Sequence, residues 1–333
     1  MANSITLIGG DTLLGREVRE VFGESSLGGE LRLIAADEAE TGKLTEIDGA
    51  IAFLAKLDPE TVEDAAVVVL AGTAKSSRDA MAANPAGLVI DLTYETEDDP
   101  EARVRAPQVE SPEYEADHSG PQVVAHPAAT AIAMVLDRLN RTFPIASSIV
   151  HIFEPASERG RAGIEELQQQ TVSLLAFKEM PKKVFDTQAS FAMLAQLGEN
   201  AATKLHEVEE RIERHLATLL DRIDSASSSA PPMPSLKLIQ APVFHGYSMS
   251  VWIEFDEAPP APEIEEALAG DFVDVRGAEL EAPTNVGVAG QSGVTVGAIS
   301  PDRNNGNAVW LWMVADNFRL AAESAAMIAR EVV

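Results

Sequence analysis

The short apolar runs in the first third of the chain constrain its fold more than any other feature. Residues 5–8 (ITLI) run into Gly9-Gly10, and further runs follow at Leu31–Ala35, Ala66–Ala71, Leu88–Asp91 and Val123–Ala125. Each has strand length, and the segments between them are long enough for crossovers, which argues a parallel sheet covered by helices. Leu13, Leu14, Val18 and Val21 recur at roughly helical spacing after the first run, so a strand, a tight glycine turn and a helix are expected there.

From about residue 126 the texture changes. Ala128–Leu139 reads as an apolar helix, Ser148–Glu154 as a strand and Gly163–Phe177 as an amphipathic helix. Lys204–Ile223 is the clearest helix, with Leu205, Val208, Ile212, Leu216, Leu219 and Ile223 on one stripe. The Ser/Pro-rich stretch 225–235 reads as an exposed loop. Strands at Leu236–Pro242, Ser248–Phe255, Val294–Ile299 and Val309–Val314 suggest a largely antiparallel sheet, and a last helix starts near Asp316. A chain of 333 residues exceeds one ordinary core, so two domains are expected.

Composition narrows the function classes. The formal net charge of −28 disfavours nucleic-acid backbones and anionic membrane surfaces as partners. The chain has no cysteine, which excludes disulfides, thiolate metal sites and a cysteine nucleophile, and fits a cytoplasmic setting. No apolar run has membrane-spanning length, and the start lacks the pattern of a signal peptide. The histidines at 118, 126, 151, 206, 215 and 245 show no metal-ligand spacing, so no metal is expected.

The turn Gly9-Gly10-Asp11-Thr12-Leu13-Leu14-Gly15 sits where a dinucleotide pyrophosphate loop would sit, with a helix N-terminus to supply amide donors. Thr12 stands where a middle glycine is usual, and Asp11 puts a carboxylate beside the phosphate position. The glycines equally suit a strand–helix turn that needs them for packing. After the second strand comes Ala35-Ala36-Asp37-Glu38-Ala39-Glu40. An acid there accepts from a ribose 2′-hydroxyl, so of NAD and NADP the first is favoured if a dinucleotide binds. A solvated acidic turn is the plain alternative for Asp37.

Several segments in order resemble the aspartate-β-semialdehyde dehydrogenase family. LIGGDTLLGREV looks like its VVGATGxVG opening, VIDLT (89–93) like VIDLS, and VVAHPAATAIAMVL (123–136) like VANPNCSTxxxxL. FEPASERGRAGIEEL (153–167) looks like YQAxSGAGxxGxxEL, IQAPVFHGYSMSV (239–251) like RVPVxxGHSxxV, and ADNFRLAAESAAMIA (315–329) like ADNLRKGAAxNAxxIA. Within the family, IQAPVF and VFDTQASFAMLAQLG (184–198) resemble the Usg-type paralogues.

The resemblance implies an α/β fold: a Rossmann-like domain from residues 1–125 with 316–333, and an α+β dimerisation domain at 126–315 whose sheet is mainly antiparallel. It also implies a homodimer, and a dinucleotide site at Gly9–Gly15, Asp37 and Asn317. The family reaction is NADP-dependent reductive dephosphorylation of β-aspartyl phosphate. It needs a thiolate, a histidine base and an arginine that pins the substrate carboxylate. Here the thiol position is Ala129, the base Tyr247 and the arginine Gln240. His126 and Ala128 stand at the two asparagines when the prolines are aligned; another register places Pro127 at the second. Glu154 stands at the glutamine, Ser157-Glu158-Arg159-Gly160 at SGAG, and Leu320 at the lysine of the last helix.

No catalytic residue of the family set is therefore expected. The first reading is a relative without that activity, acting by binding a nucleotide, a metabolite or a protein. The second is an NAD(P)-dependent oxidoreductase with noncovalent chemistry, in which Tyr247 and His245 would share a face if both lay in a strand. The third is authentic aspartate-semialdehyde dehydrogenase activity in amino-acid biosynthesis. Tyr247 equally reads as a space-filling residue with His245 at the surface, His126 as a helix cap, and Arg159 and Arg161 as surface charges.

Overall fold

The computed structural model describes residues 4–25, 27–47, 50–111, 114–223 and 230–333. They form two compact units, 1–125 with 318–333 and 126–317.

The first unit is built on a six-stranded parallel sheet. Its strands are β1 (Ser4–Ile8), β2 (Glu30–Ile34), β5 (Val67–Leu70), β6 (Leu88–Asp91), β7 (Arg103–Arg105) and β8 (Gln122–Val124), in the order β2-β1-β5-β6-β8-β7. Alternating side chains explain why both faces are covered. Ile5, Leu7, Val67, Val69, Leu88 and Ile90 pack on one side with α1 (Leu13–Glu24) and α8 (Asn317–Ala329). Ile8, Ile34, Val68, Leu70 and Val89 pack on the other with α2 (Pro59–Glu63) and α3 (Ala74–Ala82). A strand buried twice must be apolar at successive positions, which is why these segments read as runs. A short antiparallel hairpin, β3 (Leu44–Ile47) and β4 (Ala50–Phe53), lies outside this sheet.

The second unit has a six-stranded sheet too. Its strands are β9 (Ile145–Glu154), β10 (Ser235–Gln240), β11 (Tyr247–Phe255), β12 (Val273–Arg276), β13 (Val294–Pro301) and β14 (Ala308–Ala315), in the order β10-β9-β11-β14-β13-β12. The central pairings β9–β11, β11–β14 and β13–β14 are antiparallel, whereas the outer pairings β9–β10 and β12–β13 are parallel, so the sheet is mixed. The helices are α4 (Pro127–Thr142), α5 (Gly160–Leu175), α6 (Leu205–Ile223) and α7 (Ala261–Leu268), with α4 packed against β9, α6 and α7.

Strict alternation along β11 buries Tyr247, Met249, Val251, Ile253 and Phe255 and leaves Ser248, Ser250, Trp252 and Glu254 half-buried. The half-open face also carries Trp310 and Trp312, so all three tryptophans of the chain lie on it. The indole N–H groups of Trp252 and Trp310 both donate to Asp302 Oδ2, each at 2.9 Å. Of the expected loop at 225–235, residues 225–229 lie outside the described residues; 230–234 have no regular structure and lead into β10.

Candidate functional site

In the first unit the strand order reverses between β1 and β5, which opens a crevice at their carboxyl ends. Small residues follow the three strands that border it: Gly9-Gly10 after β1, Ala35-Ala36 after β2, and Ala71-Gly72 after β5. Gly9 has φ +89°, and a Cβ on it would lie 2.3 Å from Gly72 Cα. A Cβ on Gly15 would lie 2.0 Å from the Gly9 carbonyl oxygen. These two glycines are thus required by close backbone approach as well as by any ligand.

Thr12 is accounted for by its hydroxyl. It lies 2.7 Å from the Ala71 carbonyl oxygen and 2.9 Å from that of Gly9, and accepts from the Gly15 amide at 2.8 Å. The side chain caps α1 and ties the β1 turn to the end of β5. Asp11 accepts from the Ala36 amide at 2.7 Å, pinning the end of β2 to the same turn. Leu13 and Leu14 form the first turn of α1, whose amides have no intrahelical acceptor. Asp37 caps a 3-10 turn at Glu38–Glu40 by accepting from the Ala39 amide at 3.0 Å. Gly9 through Gly15 and Asp37 are therefore brought to the carboxyl end of this sheet. Leu320, which the resemblance sets at the family's lysine, is buried in α8.

In the second unit a row of buried residues crosses the sheet at one end. Gln240 is the register partner of Glu154, and Tyr247 that of Ala315. His126 caps α4 by accepting from the Ala128 amide at its Nδ1, 3.2 Å away, and its own amide donates to His215 Nδ1 at 2.9 Å. Ala129 lies in the first turn of α4 and is wholly buried. The His126 and Tyr247 rings are 5.9 Å apart, so the helix start and the strand start at which the resemblance places the thiol and the base are close neighbours. The Gln240 amide donates to the carbonyls of Glu154 at 2.9 Å and Ala241 at 3.2 Å.

Arg159 is not a surface charge. Its side chain is 8% exposed and its guanidinium binds the fully buried Glu154 carboxylate, at 2.7 Å for the shorter contact. A carboxylate at a buried strand end demands a countercharge, and Arg159 is five residues downstream. Burial pushes the Glu154 carboxyl above its ordinary range, against the pull of Arg159.

A hydrogen-bonded chain extends from this pair. His245 Nδ1 is 3.0 Å from Ser157 Oγ, and its Nε2 is 2.9 Å from Asp316 Oδ2, which also accepts from the Gly290 amide at 2.8 Å. Ser157 Oγ accepts from Asn317 Nδ2 at 3.2 Å, and the same nitrogen donates to Glu158 Oε1 at 2.6 Å. Burial pushes Glu158 up to about 7, the Glu154 charge adding to the rise and Arg159, Asn317 and His245 opposing it. Glu158 keeps some accessible surface, so its enclosure comes from density of neighbours rather than complete coverage.

Two further expectations change. The strand begins at Tyr247 and Gly246 has φ +79°, so alternation does not carry back to His245, whose ring is bonded to Ser157 and Asp316 and only 27% exposed. Asn317 clusters with the second unit, where it bridges Ser157 and Glu158. The Ser157–His245–Asp316 chain was not visible in the sequence, because its members are spread over 160 positions; the one hint was a histidine beside a glycine just before a strand. This assembly can hold and move protons, and its arginine is committed to Glu154.

Comparisons with known proteins accord with this geometry. Residues 136–320 match the family model described as semialdehyde dehydrogenase, dimerisation domain. The chain is similar to an aspartate-semialdehyde dehydrogenase of Rickettsia bellii (29% identity over 63% of this chain and 62% of that protein). It is similar to a USG-1 protein homolog of Pseudomonas aeruginosa (31% identity over 65% of this chain and 63% of that protein). Each of these matches thus spans less than two thirds of the relative's length. A solved structure, described as a probable aspartate-semialdehyde dehydrogenase from Pseudomonas aeruginosa, superposes with TM-score 0.83 at 25% identity, covering 99% of this chain and 98% of that one.

Proposed function

The chain belongs to the semialdehyde dehydrogenase family through its dimerisation domain, and from that membership we propose that it has left the family's thiol chemistry and acts by binding a nucleotide or small metabolite. The observation that carries this is Ala129, a buried methyl group at the helix start where a thiolate would have to attack, in a chain without cysteine. A route through a covalent thioester has no nucleophile here. Neither Tyr247 nor Gln240 restores the missing base or the carboxylate clamp.

The purified chain, given aspartate semialdehyde, phosphate and NADP or NAD, should reduce no cofactor above background, about 10⁴-fold or more below a thiol enzyme. Ala129→Cys combined with Tyr247→His should recover little, since Gln240 and Glu154 still depart from the family set. Steady turnover by the unaltered chain would refute the proposal, and substantial turnover by the double variant would refute its second half.

A noncovalent oxidoreductase is the second reading. The Ser157–His245–Asp316 chain and a Glu158 carboxyl near neutrality favour it, as groups able to exchange a proton with a carbonyl substrate. The dimerisation-domain match and the half-open sheet face bearing Trp310 and Trp312 support a homodimer. Sedimentation at micromolar concentration should give twice the chain mass; a monomer there counts against it.

A further inference from the structure

We infer that the crevice at the ends of β1, β2 and β5 selects a dinucleotide with a free ribose 2′-hydroxyl and rejects one carrying a 2′-phosphate, that is, NAD over NADP. This rests on the nucleotide-binding reading above and adds its specificity.

The residues fit a dinucleotide in outline. The ends of three strands are all Gly or Ala, which keeps the crevice floor low. Thr12 is occupied with the protein's own carbonyls, and the first-turn amides of Leu13 and Leu14 remain for a pyrophosphate. The wall after β2 is acidic. Asp37 heads the 3-10 turn and uses Oδ1 on the Ala39 amide, which leaves Oδ2 to accept from a ribose hydroxyl. Asp11, bonded to the Ala36 amide, places a second carboxylate one residue before it.

The lysines near this turn each have a carboxylate partner. Lys43 pairs with Glu40 at 2.6 Å, Lys56 with Glu38 at 2.9 Å and Lys75 with Asp79 at 2.8 Å. The Arg19 charge acts on Asp11, so Asp37 is, among the described residues, the carboxylate of this wall without an ion pair. A 2′-phosphate would bring nearly two further negative charges against that wall and lose the hydrogen bond that a 2′-hydroxyl donates. Reading NADP would need an arginine or lysine facing the ribose, whereas Lys43 and Lys56 pair with glutamates of the same turn and Lys75 with Asp79 in α3.

Isothermal titration of the whole protein with NAD and, separately, with NADP tests the inference at low and moderate salt. NAD should bind about tenfold or more tighter than NADP, with the gap narrowing as salt screens the wall. Asp37→Ser keeps a side chain able to cap the 3-10 turn but removes the charge, so it should bring the two affinities within a few-fold. NADP binding as tightly as NAD would overturn the inference while leaving the nucleotide reading intact. An unchanged preference in Asp37→Ser would overturn the assignment of Asp37. Binding of neither nucleotide, checked by thermal shift, would remove both readings together.

Discussion

Replacing Arg105 with methionine should cost the first unit about 3–5 kcal/mol, the usual penalty for stranding a buried carboxylate, here Glu110, without its cation. Arg105 is 1% exposed. Its guanidinium binds Glu110 at 2.8 and 2.7 Å, Glu331 at 2.7 and 3.3 Å and Gln122 at 3.1 Å, and lies 5.1 Å from the Tyr114 ring centre. One cation thus fastens the end of β7 to β8 and to the residues following α8. Faster hydrogen exchange at the β1 and β5 amides and a lower urea midpoint would register the loss; a change under about 1 kcal/mol would contradict it.

The same network gives a pH dependence with a definite sign. Burial raises Glu331, but its bonds to Arg105 and His118 outweigh that and hold its carboxyl below the ordinary range. A depressed carboxyl contributes stability that is present above its unfolded value, near 4.3, and is lost as pH falls through the folded one. Acid should therefore loosen the turn after α8 in the unaltered protein, and Glu331→Gln should remove that component.

Arg159→Met in the second unit should be similarly harmful, by about 3–5 kcal/mol, because Glu154 is fully buried and its carboxyl is already raised by burial. The informative comparison is a double-mutant cycle. Glu154→Gln removes the charge that needs a partner, so Glu154→Gln with Arg159→Met should recover most of the loss, whereas Arg159→Met alone should not. If the double variant is as unstable as the single one, Arg159 matters for packing and not as a countercharge.

The contrast between these two clusters shows what the residues made legible. The parallel sheet could be read because strands buried on both faces leave continuous apolar runs. The helix α6 could be read because its stripe repeats for 19 residues. The hairpin β3–β4 left no signal: it has four residues a side, and Leu44, Ile51 and Phe53 are 65%, 76% and 64% exposed. Parallel pairing at the edges of the second sheet was equally hidden, since alternation tells a strand which face to bury but not which neighbour to take. At the candidate site Ala129 and Tyr247 were legible as single positions through the segments that resemble the family. The Glu154–Arg159 pair was not, because nothing local marks a surface-type residue as buried until its partner's strand end is known to be.

The placement of Trp252, Trp310 and Trp312 on one sheet has a practical consequence. Indole emission reports on the second unit and is silent about the first. An unfolding curve followed by fluorescence alone would miss the Arg105 variant and reveal the Arg159 variant, while far-ultraviolet dichroism would sense both. Because Asp302 accepts from two of the three indoles, Asp302→Ala should alter the spectrum of the native protein itself, giving an optical marker for that sheet before any denaturant is added.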